Sequence, residues 1–100
     1  MTFEFEAALW LWESRRADSW TFVSLPTGVA GEILDAAGAA ARGFGSLRGD
    51  VRLGRTQWRT SIFPDRRVGT YVLPIKKAVR TAEALEAGDI ALIRLALVDL

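Results

Sequence analysis

The chain has 100 residues, half of them hydrophobic, with 13 basic and 12 acidic side chains and a net charge of +1. That is the length of one domain, apolar enough to fold around a core without disulfide or metal staples, and too nearly neutral to be drawn as a whole to nucleic acid or membrane. Cysteine and histidine are both absent, which removes disulfides, thiolate chemistry, the Ser-His-Asp triad and the commonest general base, and leaves carboxylates alone to make any metal site.

The first element is written in "TFEFEAALWLWES". Phe3, Phe5, Ala7, Leu9 and Leu11 fall on one face, and Glu4, Glu6, Ala8, Trp10 and Trp12 on the other. A period of two means a strand. Its second face begins acidic and ends aromatic, so the strand is expected to start half-exposed and finish covered on both sides. "SRRAD" reads as a turn and "SWTFVSL" as the returning strand, with Trp20 expected in the core.

Pro26 ends that strand. "TGVAGEILDAAGAAARG" places Val29, Ile33, Leu34, Ala37 and Ala41 at helical spacing, with Thr27 as the expected N-cap and Gly43 and Gly45 as the stop. Gly28, Gly31 and Gly38 each weaken the helix by about 1 kcal/mol relative to alanine, so packing must hold it.

"SLRGDVRLGRTQWRTSIF" is the clearest hairpin. A tight turn at Gly54-Arg55 pairs Leu53 with Thr56, Val51 with Trp58, Gly49 with Thr60 and Leu47 with Ile62. The outer face then carries Arg48, Asp50, Arg52, Gln57, Arg59 and Ser61. The tripeptide Arg48-Gly49-Asp50 lies within this strand, so its likeness to an integrin-binding loop is coincidence. "PDRRVG" is expected to be a loop. "TYVLPIKKAVRTAEALEAGDIALIRLALVDL" reads as a strand, a short helix carrying Val79, Ala82 and Leu85, a turn at Gly88-Asp89, and a last strand. That strand is apolar at nearly every residue from Ile90 to Val98, as expected of one covered on both faces.

"FVSLP-helix-Gly-strand" recurs as "YVLP-helix-Gly-strand", which suggests a duplicated strand-helix-strand unit about a pseudo-twofold axis. The predicted fold is an all-β-dominated α+β domain: a small barrel of about six strands capped by two short helices. No apolar run approaches the roughly 18 residues that span a bilayer. The acidic, alternating start is unlike a signal peptide. A cytoplasmic domain without membrane attachment, monomeric or homodimeric, is expected.

The order "F-x-A…W…F-V-x-L-P", "W-R-T-S-I-F-P-D", "G-x-Y-x-L-P-I-K-K-A-V-R" and "E-A-G-D" closely resembles the bacterial family called domain of unknown function 1905, from Phe3 to Leu97. The segment Tyr71 to Lys77, followed by Gly88-Asp89, is the most specific part. The resemblance implies a double-split β-barrel with helical caps, similar to a tandem fusion of two AbrB-like swapped-hairpin repeats. Some relatives carry a further helical domain linked to bacteriocin protection; here residues 1–100 are expected to be the barrel domain alone. The resemblance carries over no catalytic residues. It implies a β-branched residue and an acid where this chain has Gly49 and Asp50, and a more polar last strand.

Two sites stand out. Trp10, Trp12 and Trp58 lie on strands expected to be neighbours, and Gly49 leaves volume unfilled on an inward face. Aromatics beside a missing side chain suggest an apolar cavity for small hydrophobic ligands, with Thr60, Tyr71, Gln57 or an indole N–H as polar anchors. Against this stands ordinary core packing, which absorbs aromatics routinely. The second candidate is the arginine face of Arg48, Arg52 and Arg59 with Arg55 at its tip, continued by Arg66, Arg67, Lys76, Lys77 and Arg80. A β-ribbon of this kind can contact phosphates, which makes a nucleic-acid-binding or transcription-related module the alternative function. The small net charge argues against strong nucleic-acid affinity. A solvated, locally balanced surface is the plainer reading. Glu13, at the end of the aromatic strand, is the best available carboxylate base. No cofactor is implied. Fifteen alanines, with eleven arginines among the 13 cations, also fit an engineered scaffold whose cavity hosts non-natural catalysis.

Overall fold

The computed structural model describes residues 1–13, 19–38 and 45–98, with Glu13 and Ser19 described by their backbones only. The elements are β1 (Thr2–Glu13), β2 (Ser19–Ser24), α1 (Thr27–Ala37), β3 (Leu47–Leu53), β4 (Thr56–Asp65), β5 (Thr70–Pro74), α2 (Lys77–Glu83) and β6 (Ile90–Leu97). The strands close a barrel in the order β1-β2-β5-β4-β3-β6. Every strand pair is antiparallel. This is the expected six-stranded, mostly β architecture with two short helices. No helix among the described residues is long and apolar enough to cross a membrane.

Alternation fills the interior. Phe5 and Leu9 from β1, Val23 from β2, Val51 and Leu53 from β3, Ile62 from β4, Leu73 from β5 and Ile93 and Leu95 from β6 are all buried in one core. Each large aliphatic side chain so buried contributes about 1.5–3 kcal/mol. Helix α1 packs on β5, with Ala30, Ile33 and Ala37 buried, and α2 packs on β4 through Val79.

The β3–β4 hairpin has the expected register at all four pairs, from Leu53 opposite Thr56 to Leu47 opposite Ile62. Gly54 has φ +60°, as the first turn residue of a type II′ hairpin requires. The end of α2 holds this turn in place. The Glu83 carboxylate accepts the Thr56 hydroxyl at 2.7 Å and the Arg55 backbone N–H at 3.4 Å. A side chain at position 54 would collide with that carboxylate.

The long strands change partners midway. Residues 2–8 of β1 pair with β6 and residues 9–13 with β2. Residues 56–62 of β4 pair with β3 and residues 63–65 with β5. Exchanging β1, β2 and β3 for β4, β5 and β6 leaves the ring of neighbours unchanged, and the registers follow. Trp10 faces Phe22 as Phe63 faces Val72. Gly49 faces Thr60 as Ala91 faces Ala7. Val23 opposite Leu73, and Arg52 opposite Arg94, lie at the points about which the scheme turns. Leu25 N–H donates to the Tyr71 carbonyl at 2.9 Å, and Ile75 N–H to the Thr21 carbonyl at 2.8 Å.

Several sequence expectations are corrected. The far end of β1 is not covered on both sides: Leu11 is 43% and Trp12 44% exposed. Trp20 is not core but 56% exposed. Strand β6 is buried on alternate residues only, with Ile90 and Leu92 exposed. Among the described residues, the two short helices pack on β5 and β4 and leave the outer faces at Trp20 and β6 bare, while Leu11 keeps the inward phase of Leu9 but lies at the end of β1, where β2 is its partner and β6 no longer pairs. Thr27 is the first helical residue, and Pro26 occupies the N-cap without a side-chain bond. The helix ends at Ala37 with Gly38 in a positive-φ conformation, its N–H bonded to the Leu34 carbonyl. "PDRRVG" is partly strand, since β4 runs through Asp65. The expected turn at residues 14–18, and Ala41 and Gly43 of the expected helix tail, lie outside the described residues.

Candidate functional site

Outward-facing residues of β1, β2, β4 and β5 line a groove of about 930 Å³. One end is built by two cross-strand aromatic pairs, Trp10 opposite Phe22 and Trp12 opposite Trp20. The rings are ordered against each other: Trp10 and Phe22 meet at 5.2 Å with a 35° tilt, and Trp20 and Phe22 stack at 6.3 Å and 14°. Trp10 Nε1 donates to the Ser24 hydroxyl at 2.9 Å, which fixes the indole. Val72 and Pro74 of β5 and Phe63 of β4, itself 45% exposed, continue the apolar surface. Pairs of this kind stabilise a sheet by roughly 0.2–1 kcal/mol each, yet Trp12 and Trp20 still show about half their surface.

The other end is polar. The β4–β5 turn contributes Asp65, Arg66 and Arg67. Asp65 is buried and Arg67 grips it: Nε to Oδ1 at 3.1 Å, Nη2 to Oδ2 at 3.2 Å, and the Arg67 backbone N–H to Oδ1 at 3.2 Å. The Arg67 hydrogen bonds and charge hold the Asp65 carboxyl below its ordinary pKa, against the opposing effect of burial.

The residues singled out in the sequence separate into two groups. Trp10 and Trp12 belong to this outer groove. Trp58, Gly49, Thr60 and Tyr71 lie on the inward phase of their strands. The space expected beside Gly49 is taken: a Cβ there would sit 2.6 Å from Leu95 Cδ1 and 3.3 Å from the Ala96 carbonyl. The missing side chain admits a neighbour rather than a ligand. Trp58 packs against the core with its Nε1 buried and without a partner among the described residues. Tyr71 is 2% exposed, and burial raises its phenol pKa. Sequence reasoning missed Trp20, Phe22, Phe63 and Arg66 as groove residues. The signal was present in the phase of β1 and β2, where Trp10, Trp12, Trp20 and Phe22 share one face.

On the opposite side of the barrel, Arg48, Arg52 and Arg59 are exposed on the outer face of the β3–β4 hairpin, with Arg55 at its tip. Arg59 forms two bonds to Asp50, at 2.8 and 3.3 Å, and these lower the Asp50 pKa. Arg94 of β6 stands directly opposite Arg52 and extends this face. Glu13 has no described side chain. Among the described residues, no three His, Cys, Asp or Glu side chains gather as a metal site would require.

Residues 5–95 match the family model described as Domain of unknown function (DUF1905). The chain belongs to that family. A search of curated proteins gives no match.

Proposed function

We propose that this member of the family is a binding module that takes small hydrophobic ligands in its outer aromatic groove, with no catalytic machinery of its own. The observation that carries this is the gathering of Trp12, Trp20 and Phe63, each about half exposed, around one concave surface. Scattered exposed hydrophobics need no explanation, but a contiguous apolar concavity marks a recognition site. Its volume lies in the range of drug-sized ligand sites. The outer phase of the lining leaves the core intact when the groove is occupied or empty. Calorimetric titration with naphthalene-2-carboxamide tests the reading. Saturable binding that Trp12→Ala and Trp20→Ala each weaken by about tenfold supports it; the absence of heat, or binding indifferent to both variants, overturns it.

The symmetric pairing scheme supports a finer reading of the fold as a double-split barrel, made of two copies of one β-β-α-β unit, with β1 and β4 as the strands that split between sheets.

A second function has one observation in its favour. Arg94 stands between Arg52 and Glu4 in the cross-strand row, so Glu4 balances one of the two adjacent like charges, and a phosphate would take the other. Arg48 and Arg55 would add contacts to a nucleic-acid backbone. A duplex-DNA complex at low salt that dissolves steeply as salt rises supports this reading.

A further inference from the structure

We infer that the groove selects an anionic amphiphile, a flat apolar body bearing one carboxylate, with Arg66 as the anchor for its charge. The inference rests on the groove being a ligand site and concerns which ligand it takes.

The barrel's pairing scheme gives the groove two corresponding ends, so differences between them are informative. Where the β1–β2 end has Trp12 facing Trp20, the matching position of the β4–β5 end has Asp65 facing Thr70. Among the described residues, one end therefore presents aromatic rings and the other presents charge. A ligand that fills both must itself be apolar at one end and polar at the other.

The sign of the polar end follows from its pairing. Among the described residues it holds two guanidiniums, Arg66 and Arg67, and one carboxylate, Asp65. Asp65 is committed to Arg67 through three hydrogen bonds. Arg66 is exposed and has no partner among the described residues. One positive charge is left over beside an apolar wall. A neutral ligand would leave that charge without a partner, and a cationic one would be repelled. A monocarboxylate matches it in sign and number and can accept the forked guanidinium bonds.

The test compares two probes of one shape, naphthalene-2-carboxylate and naphthalene-2-carboxamide, by calorimetry on the full chain at pH 7 and low salt. The carboxylate is expected to bind about fivefold more tightly, the upper end of what an exposed ion pair contributes. In Arg66→Gln that preference disappears, the ratio of the two affinities falling to about one. Position 66 is exposed, so the variant folds, and an unchanged far-UV spectrum confirms it. If both probes bind wild type equally, or if the preference survives in Arg66→Gln, the anion inference is overturned and the groove reading stands. If neither probe binds, the groove reading fails and this inference with it.

Discussion

The two faces of the β1–β2 hairpin come from the same alternation and meet opposite surroundings. On the inward phase, Leu9 and Val23 are sealed, at 1% and 0% exposure. One residue along each strand, Trp10 and Phe22 begin the aromatic wall of the groove. The barrel places most of its aliphatic side chains inside and three of its four tryptophans on the outer wall. Stability and recognition thus sit on separate faces, and a substitution can address one without the other.

That separation is broken most severely from the inside. Ile93→Ala empties a fully buried site between Phe5 and Leu53, its cross-strand neighbours. It is expected to cost about 2–5 kcal/mol, read as a lower urea midpoint. Gly49→Ala attacks the same face by overfilling. Its new methyl collides with Leu95 and crowds the Ala96 carbonyl, for a loss of about 1–3 kcal/mol. A neutral or stabilising result in the same unfolding experiment would show that free volume remains there after all. Glu83→Ala releases the clamp on the β3–β4 turn and should cost about 1 kcal/mol, the worth of the hydrogen bond to Thr56 with a small addition from Arg55. All three variants should retain the groove's ligand affinity while folded.

The outer face answers differently. Trp20→Ala should lower stability by less than about 1 kcal/mol, the value of an aromatic cross-strand pair, while removing most ligand binding. The smallest effect lies at the groove's polar end. Arg67 lowers the Asp65 pKa in the folded state from its ordinary value of 3.8. The resulting stabilisation is full above that ordinary value and is lost as pH falls through the depressed one. Asp65→Asn should therefore flatten the acid limb of a stability-versus-pH curve as pH falls below the ordinary value of 3.8. An acid limb identical to wild type would show that the pair adds nothing.

The parts of this fold legible in the sequence are those where local chemistry has one solution. Gly54-Arg55 between two alternating runs fixes the turn, the turn fixes the register, and all the β3–β4 pairs follow. Alternation also separated the phases of β1 and β2 correctly. What it left open is which phase another layer covers. Trp20 and the run from Ile90 to Val98 are apolar, and apolarity suggests burial, but covering them takes a helix or sheet that the described residues do not place there. The candidate site was misplaced for the same reason. Hydrophobicity alone groups Trp10 and Trp12 with Gly49, but they stand on the outer phase and Gly49 on the inner. Arg66 was legible as one of many cations. Its distinction appears when the Asp65–Arg67 pair leaves it alone beside the aromatic wall.

The pairing of β1 with β6 sets an order of events in synthesis. Thr2 lies opposite Ala96, so the barrel cannot close until β6 has emerged. The aromatic hairpin between β1 and β2 can pair early, but Phe3, Phe5 and Ala7 must wait for β6 to supply their neighbours. Contacts this distant in sequence make folding slow relative to helical domains of the same size. During that wait the nascent chain exposes an unpaired apolar strand, the form in which such chains associate wrongly. Glu4 and Glu6, alternating with those hydrophobics, put charge on the strand while it is still alone, where it discourages pairing between copies.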